Sequence, residues 1–517
     1  MELLCPSAKR RRSEDLAADE PQPRATEATE AANLGPATQS EEPPPPPPSE
    51  AAAGGGGGGG EDDVDRISGL PDAVLGEIVS LLSTKEAART QILASRWRHV
   101  WLASPLVLDG TDLSTEPMAY RRDDKKFDAD KEALASAVSR ILSAHRGPAR
   151  RFCVPPHFLQ DRPATVDAWL SSPALHNLQE LDFWERNDMK YLYMQPSPLA
   201  SLPASTFRFS ATLRVATFGK CELLDSSVEG IHFPHLKQLG LEDVSISEGS
   251  LNTIISRCPV LECLLLKHIF GFGCLRISSN SLKSIGVGAD RRRDNLQFLQ
   301  EVIIVDAPCL ERFLYLGKPM TLTVISAPKL ETLGCLDDEW FLHRRLVYDT
   351  TSIQGLKVVS MTTALSNVKT LAIASEFVNL DTVIELMKCF PCLEKLYVKS
   401  RISGRLNRWR RKYKDFIKSF DIPLKTIVLK QYRGIRSQVN FASFFLLNAR
   451  ELESMRLEVG ASDCNEAFFA EQYAMLQMEK RASRGARLHF IKKLCTHPMY
   501  VDHVRELSVA DPFECRC

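Results

Sequence analysis

Long apolar runs are missing from this sequence. No stretch approaches the roughly 18 residues that a membrane-crossing helix needs. The first residues, MELLCPSAKRRRSED, offer no apolar segment for a secretory leader. Without a leader, the 14 cysteines are expected to stay reduced in the nucleus or cytoplasm rather than to form a disulfide framework. An excess of one charge is missing too, with 65 Lys+Arg against 65 Asp+Glu. That balance argues against a nucleic-acid coat protein, whose affinity comes from neutralising many phosphates. Nucleic acid is therefore not an expected partner, and neither is a membrane.

The signatures of common enzymes are also absent. There is no P-loop, dinucleotide fingerprint, G-x-S-x-G elbow or H-E-x-x-H helix. Cys389-Phe390-Pro391-Cys392 is a single C-x-x-C, and a zinc site would need two further ligands. It reads as core packing, with Cys392 a small buried residue ahead of a strand. His232-Phe233-Pro234-His235 lacks a third ligand and reads as loop, and nothing visibly activates Cys515 or Cys517. The expectation is a protein with no catalytic residue, no metal and no cofactor.

What is present divides the chain. Residues 1–60 carry a proline run, Pro43 to Pro48, and a glycine run, Gly54 to Gly60, with almost no aromatic or β-branched residues. Such a segment buries too little apolar surface to offset its ordering entropy, so a disordered arm is expected. Within it, Lys9-Arg10-Arg11-Arg12 reads either as a nuclear import signal or as a solvated charge run.

Globular composition begins near residue 65. Leu70-Pro71-Asp72 opens a first helix, with proline at its start. Val74, Leu75, Ile78, Val79 and Leu82 then recur as one apolar face. Ser83-Thr84-Lys85-Glu86 has the capping-box pattern that starts a second helix. A third carries Trp97, Val100, Trp101 and Leu102 and should stop at Pro105. Three short helices make a marginal core, so they either cap the next domain or dock a partner. These residues now carry a resemblance. Leu70-Pro71, Thr84-Lys85-Glu86-Ala87 and Arg96-Trp97-Arg98 with Trp101 are similar to the F-box of plant proteins. The chain departs from that pattern in having Leu93-Ala94-Ser95-Arg96-Trp97, where Leu-Ser-Lys-Arg-Trp is common, and Gly76 in the first helix.

A second signal fills the remainder. The pattern apolar-x-x-apolar-x-apolar recurs a dozen times, from Leu178-Leu181-Phe183 and Leu261-Leu264-Leu266 to Leu452-Met455-Leu457 and Val504-Leu507-Val509. A dozen such units make a repeat array in which each supplies one strand of a parallel sheet. The array resembles irregular leucine-rich repeats. Helices such as the one around Val383-Ile384-Glu385-Leu386-Met387 should cover the convex side. Glu262, Lys283, Glu311, Lys369 and Lys395 should stand on the concave side, as a binding surface or merely as solubilising charge. Residues 423–459, through Leu446-Leu447-Asn448-Ala449 and Leu452-Glu453-Ser454-Met455, resemble the FBD region of plant F-box proteins. Arg291-Arg292-Arg293 and the run from Arg405 to Lys418 are basic and read as a solvated helix face, or as a contact for nucleic acid or an acidic protein.

The expected fold class is therefore α/β: a disordered arm (1–60), a three-helix F-box (65–106), a connection (107–147) with a helix from Lys131 to Leu142, an irregular leucine-rich-repeat solenoid with a parallel sheet (148–422), and FBD-like final repeats with a cap (423–517). The resemblance implies a substrate receptor of an SCF-type ubiquitin ligase. Leu70 and Pro71 would insert into a Skp-type adaptor, with Ile78, Val79, Leu82, Ile92 and Trp97 completing or supporting that interface. Trp101 would pack the F-box on the first repeat. Cullin and the RING subunit would follow through the adaptor, and the repeats would bind an unknown protein substrate. The alternative is a repeat scaffold or regulatory binding module acting without ligase activity.

Overall fold

Leucines at the inward positions of successive repeat units explain the architecture. Leu239, Leu264 and Ile285 pair in register across neighbouring parallel strands, as do Leu241, Leu266 and Val287. All six side chains are buried in one continuous core. No single unit could bury them alone, so the units stack. The computed structural model describes residue 67 and residues 69–113, 124–185, 199–289, 297–317, 320–337, 345–375, 380–400, 421–460, 464–492 and 501–514. These belong to one unit, Asp65–Cys517. The N-terminal arm with its basic cluster, Arg291 to Arg293, the Arg405–Lys418 run, Cys515 and Cys517 lie outside the described residues.

The main sheet has 14 strands, hydrogen-bonded in chain order. Every pairing within it is parallel. Eleven of the twelve recurring units supply its strands, from Glu180–Phe183 to Ser454–Val459. The twelfth, Val504-Leu507-Val509, does not. It forms a short 3-10 helix, Val504–Ser508, and the last strand is Arg487–Lys492 instead. Two further strands, Leu106–Asp109 and Ala149–Val154, begin the sheet, the second with Ala149, Phe152 and Val154 at the repeat spacing.

The convex side is helical only in part. The helices Glu248–Ser256, Leu380–Cys389 and Arg436–Asn448 each bury an apolar stripe. Between the first two, a second sheet of six strands replaces helices. The interval from Leu310 to Leu330 is among the shortest and leaves little room for a helix and two loops. Thr321–Val324 alternates half-buried and buried side chains, the period of a one-sided strand. The Cys389-x-x-Cys392 pair is split: Cys389 is buried, its thiol pushed up to about 11 by burial. Cys392 is exposed, contrary to the sequence expectation. In the FBD-like stretch, the Asn448 amide donates to the Phe444 carbonyl at 2.7 Å, and Ala449 and Leu452 are fully buried. That stretch forms one repeat unit, strand to helix to strand.

The three N-terminal helices form where the capping signals place them. They are α1 (Asp72–Ser80), α2 (Thr84–Arg89) and α3 (Ser95–Ala103). The Ser83 hydroxyl accepts from the Glu86 N–H and the Glu86 carboxylate accepts from the Ser83 N–H, a reciprocal capping box. Pro71 stands one residue before α1, and its missing N–H costs nothing there. Leu75, Val79, Ala87, Val100 and Trp101 make the small core.

This cluster is fastened to the repeats at several points. The connecting helix, Asp124–Ala144, is longer than expected, and its Ile141 packs on both the small core and the main one. Trp101 meets His145 edge-on at 5.5 Å, and the His145 ring bonds the Ser104 carbonyl at 2.9 Å. Gly147 presses on the end of α3, where an added Cβ would fall 2.0 Å from the Ser104 carbonyl oxygen. The Thr84 hydroxyl donates to Val107 and accepts from the Asp109 N–H. Arg150 pairs with Glu77 at 2.9 Å. The orientation of the helices against the sheet is thereby fixed.

Candidate functional site

The stripe expected on α1 is two stripes. Leu75 and Val79 point into the small core. Val74, Ile78 and Leu81, at spacings of four and three, point to solvent, with Leu81 81% exposed. The turn before α3 adds Ile92, 83% exposed, and Leu93, and Ile67 is exposed ahead of α1. The Arg96 guanidinium ties these together: it pairs with Asp72 at 2.6 Å and donates to the Leu70 carbonyl at 2.5 Å. The start of α3 is thereby held against the start of α1.

The seven residues singled out from sequence therefore separate by environment. Pro71, Ile78 and Ile92 are exposed. Leu70, Leu82 and Trp97 are half-buried and rest on the small core. Val79 is wholly inside and can only support. Ile67, Val74, Leu81 and Leu93 were missed. The i, i+4, i+7 spacing of Val74, Ile78 and Leu81 was the available signal. Apolar residues clustered on a surface mark a docking site, because a monomer gains nothing from exposing them. Burying one such side chain fully is worth roughly 1.5–3 kcal/mol.

The concave face of the main sheet differs from its sequence expectation. Four of the five charges expected there stand just ahead of the strands and pair with neighbouring units or residues. Glu262 meets Lys237 and Lys283, Lys369 meets Glu331, and Glu311 meets Arg312. Such exposed pairs contribute little. Lys395, the first residue of its strand, instead pairs with Asp511 of the C-terminal segment. The middle of the face is apolar, built by Val215, Cys263, Leu265, Leu314 and Val428, and residues 501–514 cover it.

That C-terminal segment is held at both ends by charge. Its His503 ring bonds Asp182 at 3.2 Å and Thr217 at 3.0 Å, and Arg505 pairs with Asp182 at 3.0 Å and Glu180 at 2.6 Å. Asp182 is fully buried, and burial raises its pKa. The His503 hydrogen bond and the charges of Arg505 and Arg151 more than reverse this and hold the carboxyl well below its ordinary range. At the other end, Asp511 accepts from Lys395 at 2.7 Å and from the Tyr397 hydroxyl at 2.8 Å. Burial raises Asp511 as well, and these two bonds bring it below its ordinary value. Arg456 pairs with Glu514 beyond it. Among the described residues no cluster of three metal-ligating side chains occurs.

Comparison with known proteins fits this geometry. Residues 166–398 match the family model described as "FBD-associated F-box protein At5g56370, LRR repeats", and residues 414–457 match the FBD model. The two matched spans together cover more than half of the chain. The chain carries the leucine-rich-repeat and FBD regions of plant FBD-associated F-box proteins. Its relatives in Arabidopsis thaliana include the FBD-associated F-box protein At5g22720, 26% identical over 465 residues, which are 81% of this chain and 93% of that one. The F-box/FBD/LRR-repeat protein At5g22610 is 24% identical over 499 residues, covering 85% and 94% of the two chains. The F-box/FBD/LRR-repeat protein At5g22700 is 29% identical over 258 residues, about half of each chain. The α1–α3 cluster lies ahead of both matched spans. Its assignment as the F-box rests on its own residues and its three-helix arrangement.

Proposed function

We propose that this chain is the substrate-recognition subunit of an SCF-type ubiquitin ligase. The F-box docks on a Skp-type adaptor, and through it on cullin and the RING subunit, while the repeats bind the protein to be modified. The observation that carries this reading is the exposed apolar group Val74, Ile78, Leu81, Ile92 and Leu93 on a cluster whose other sides are bolted to the repeats. An unpartnered face held at fixed orientation suits a subunit that must present one partner to another. The chain supplies no catalytic residue in this scheme. It raises the effective concentration of a substrate lysine near the charged conjugating enzyme. Within this reading the protein acts in the nucleus, the cytoplasm or both.

The test is a pull-down of purified Skp-type adaptor and cullin by the full chain, beside the Leu70→Ala/Pro71→Ala and Ile92→Asp/Leu93→Asp variants. Wild type should recover both proteins and the folded variants neither. Recovery of adaptor without cullin would favour a scaffold acting outside a ligase. Recovery of neither by wild type would end the F-box reading.

A further inference from the structure

Residues 501–514 fill the concave groove without becoming part of its sheet. They pair with no strand, and their only regular element is the 3-10 helix Val504–Ser508. The groove is shaped for them. Gly240 and Gly286 stand on the concave side of their strands. A Cβ on Gly240 would lie 3.4 Å from Val504, and one on Gly286 3.0 Å from the Leu507 methyl group. A side chain at Gly286 would crowd Leu507, and the bare Gly240 lets Val504 rest on the sheet at ordinary contact distance.

The polar contacts have a second character. Lys267 donates to the Asp502 carbonyl at 2.9 Å, Arg312 to the Val509 carbonyl at 2.8 Å and Lys430 to the Phe513 carbonyl at 2.7 Å. Three cations of the sheet thus read main-chain carbonyls, which any peptide carries. Side-chain selectivity lies at the ends, where the acidic Glu180–Asp182 end takes Arg505 and the basic Lys395 end takes Asp511.

We infer that the concave groove is a peptide-recognition site and that residues 501–514 occupy it in cis, in the place of a target. The fitting target is a peptide that takes one turn of 3-10 helix in the groove, with a cationic residue, an apolar residue two positions later, and an acidic residue six positions after the cation. That is the spacing of Arg505, Leu507 and Asp511. This rests on the proposed role of the repeats as the target-binding surface. A tethered strap competes at high effective concentration, so a target binds only as tightly as the vacated fraction of grooves allows.

The probe is a fluorescein-labelled synthetic peptide with the sequence of 501–514, read by anisotropy against the full chain. Wild type should bind it weakly. The full-length Val504→Asp/Leu507→Asp variant, whose own strap cannot seat, should bind at least about tenfold tighter, because its groove is vacant. A peptide with Arg505→Glu and Asp511→Lys should lose that gain. Equal binding by the two proteins, absence of binding to both, or indifference to the charge reversal overturns the inference. Should the variant not fold, hydrogen exchange on wild type decides. Strap amides must exchange at least about tenfold faster than those of Cys263–Lys267, by opening that leaves the sheet intact. Equal rates would make the strap a permanent part of the fold and end the inference. Adaptor binding is measured in parallel and should be the same in both proteins. Its absence from both would sink the ligase reading while leaving the groove result standing.

Discussion

Two apolar surfaces of this molecule have opposite fates. The outer stripe of the F-box, Val74, Ile78 and Leu81 with Ile92 and Leu93, faces solvent. The concave stripe, Leu265, Leu314 and Val428 among others, is sealed by the chain's own C-terminal segment. In the first, Leu81, Ile92 and Leu93 are mostly in water and contribute little to folding, so they can be changed at small cost to the free protein. The second is buried in cis, so stability and occupancy are coupled there. Single substitutions separate the two cases. Leu507→Ala removes a fully buried side chain and should cost about 2–5 kcal/mol of strap docking. Hydrogen exchange at 501–514 reports that loss, while adaptor binding stays unchanged. Ile92→Ala should shift thermal stability by less than about 0.5 kcal/mol, since its side chain is already in water. It should nevertheless weaken adaptor capture. If Ile92→Ala destabilised the free chain as much as Leu507→Ala, the distinction between open and sealed surfaces would collapse.

The junction between the surfaces is the next place to press. Gly147→Ala puts a methyl group 2.0 Å from the Ser104 carbonyl oxygen, where only backbone could give way. Overpacking of this kind typically costs about 1–3 kcal/mol. Trp101 and His145 sit on the same contact, so the expected readout is a change in tryptophan fluorescence with a lowered melting temperature. An unchanged melt would show that the F-box is held by its other contacts alone.

Much of this was legible in the residues. The capping box at Ser83 and Glu86 gave α2 its start, and eleven repeat units gave eleven strands, because local pattern and global packing agreed. Legibility failed where a pattern had two uses. Val504-Leu507-Val509 has the spacing of a repeat strand, but that spacing also fits one turn of helix laid across a groove. Thr321–Val324 alternates as a strand does, yet the expectation of convex helices hid it. On α1 the apolar residues outnumber what one face needs, and only packing shows that Val79 serves the core while Ile78 does not. The Asp182–His503 contact joins residues more than 300 positions apart, and no local spacing announces it.

Acid offers a milder test of the sealed surface. Asp182 and Asp511 are both held below their ordinary carboxylate value of 3.8 when the strap is docked. A depressed carboxylate contributes stability that is complete above its unfolded value and is lost as pH falls through the docked one. Strap amides should therefore keep their protection from pH 7 down to about 4 and lose it progressively below, as these groups take up protons. Asp511→Asn should remove part of that slope at the Lys395 end. Loss of protection already near neutral pH would mean that other groups hold the strap.

The smallest effect is a gain. Gly76 is buried on α1, where an added Cβ would meet Ser104 carbon atoms at 3.5 Å, an ordinary contact. Glycine in a helix interior costs about 1 kcal/mol relative to alanine, so Gly76→Ala should stabilise the F-box by up to about that amount. The form of the gain matters more than its size. Ile141 belongs to both cores, and Thr84 and Arg150 bridge the same junction. If those contacts make the F-box and repeats melt together, the substitution raises the midpoint of a single calorimetric transition. If the F-box melts first, only an early, small transition moves. The second result would mean that the exposed face of the F-box can loosen while the sealed groove stays intact.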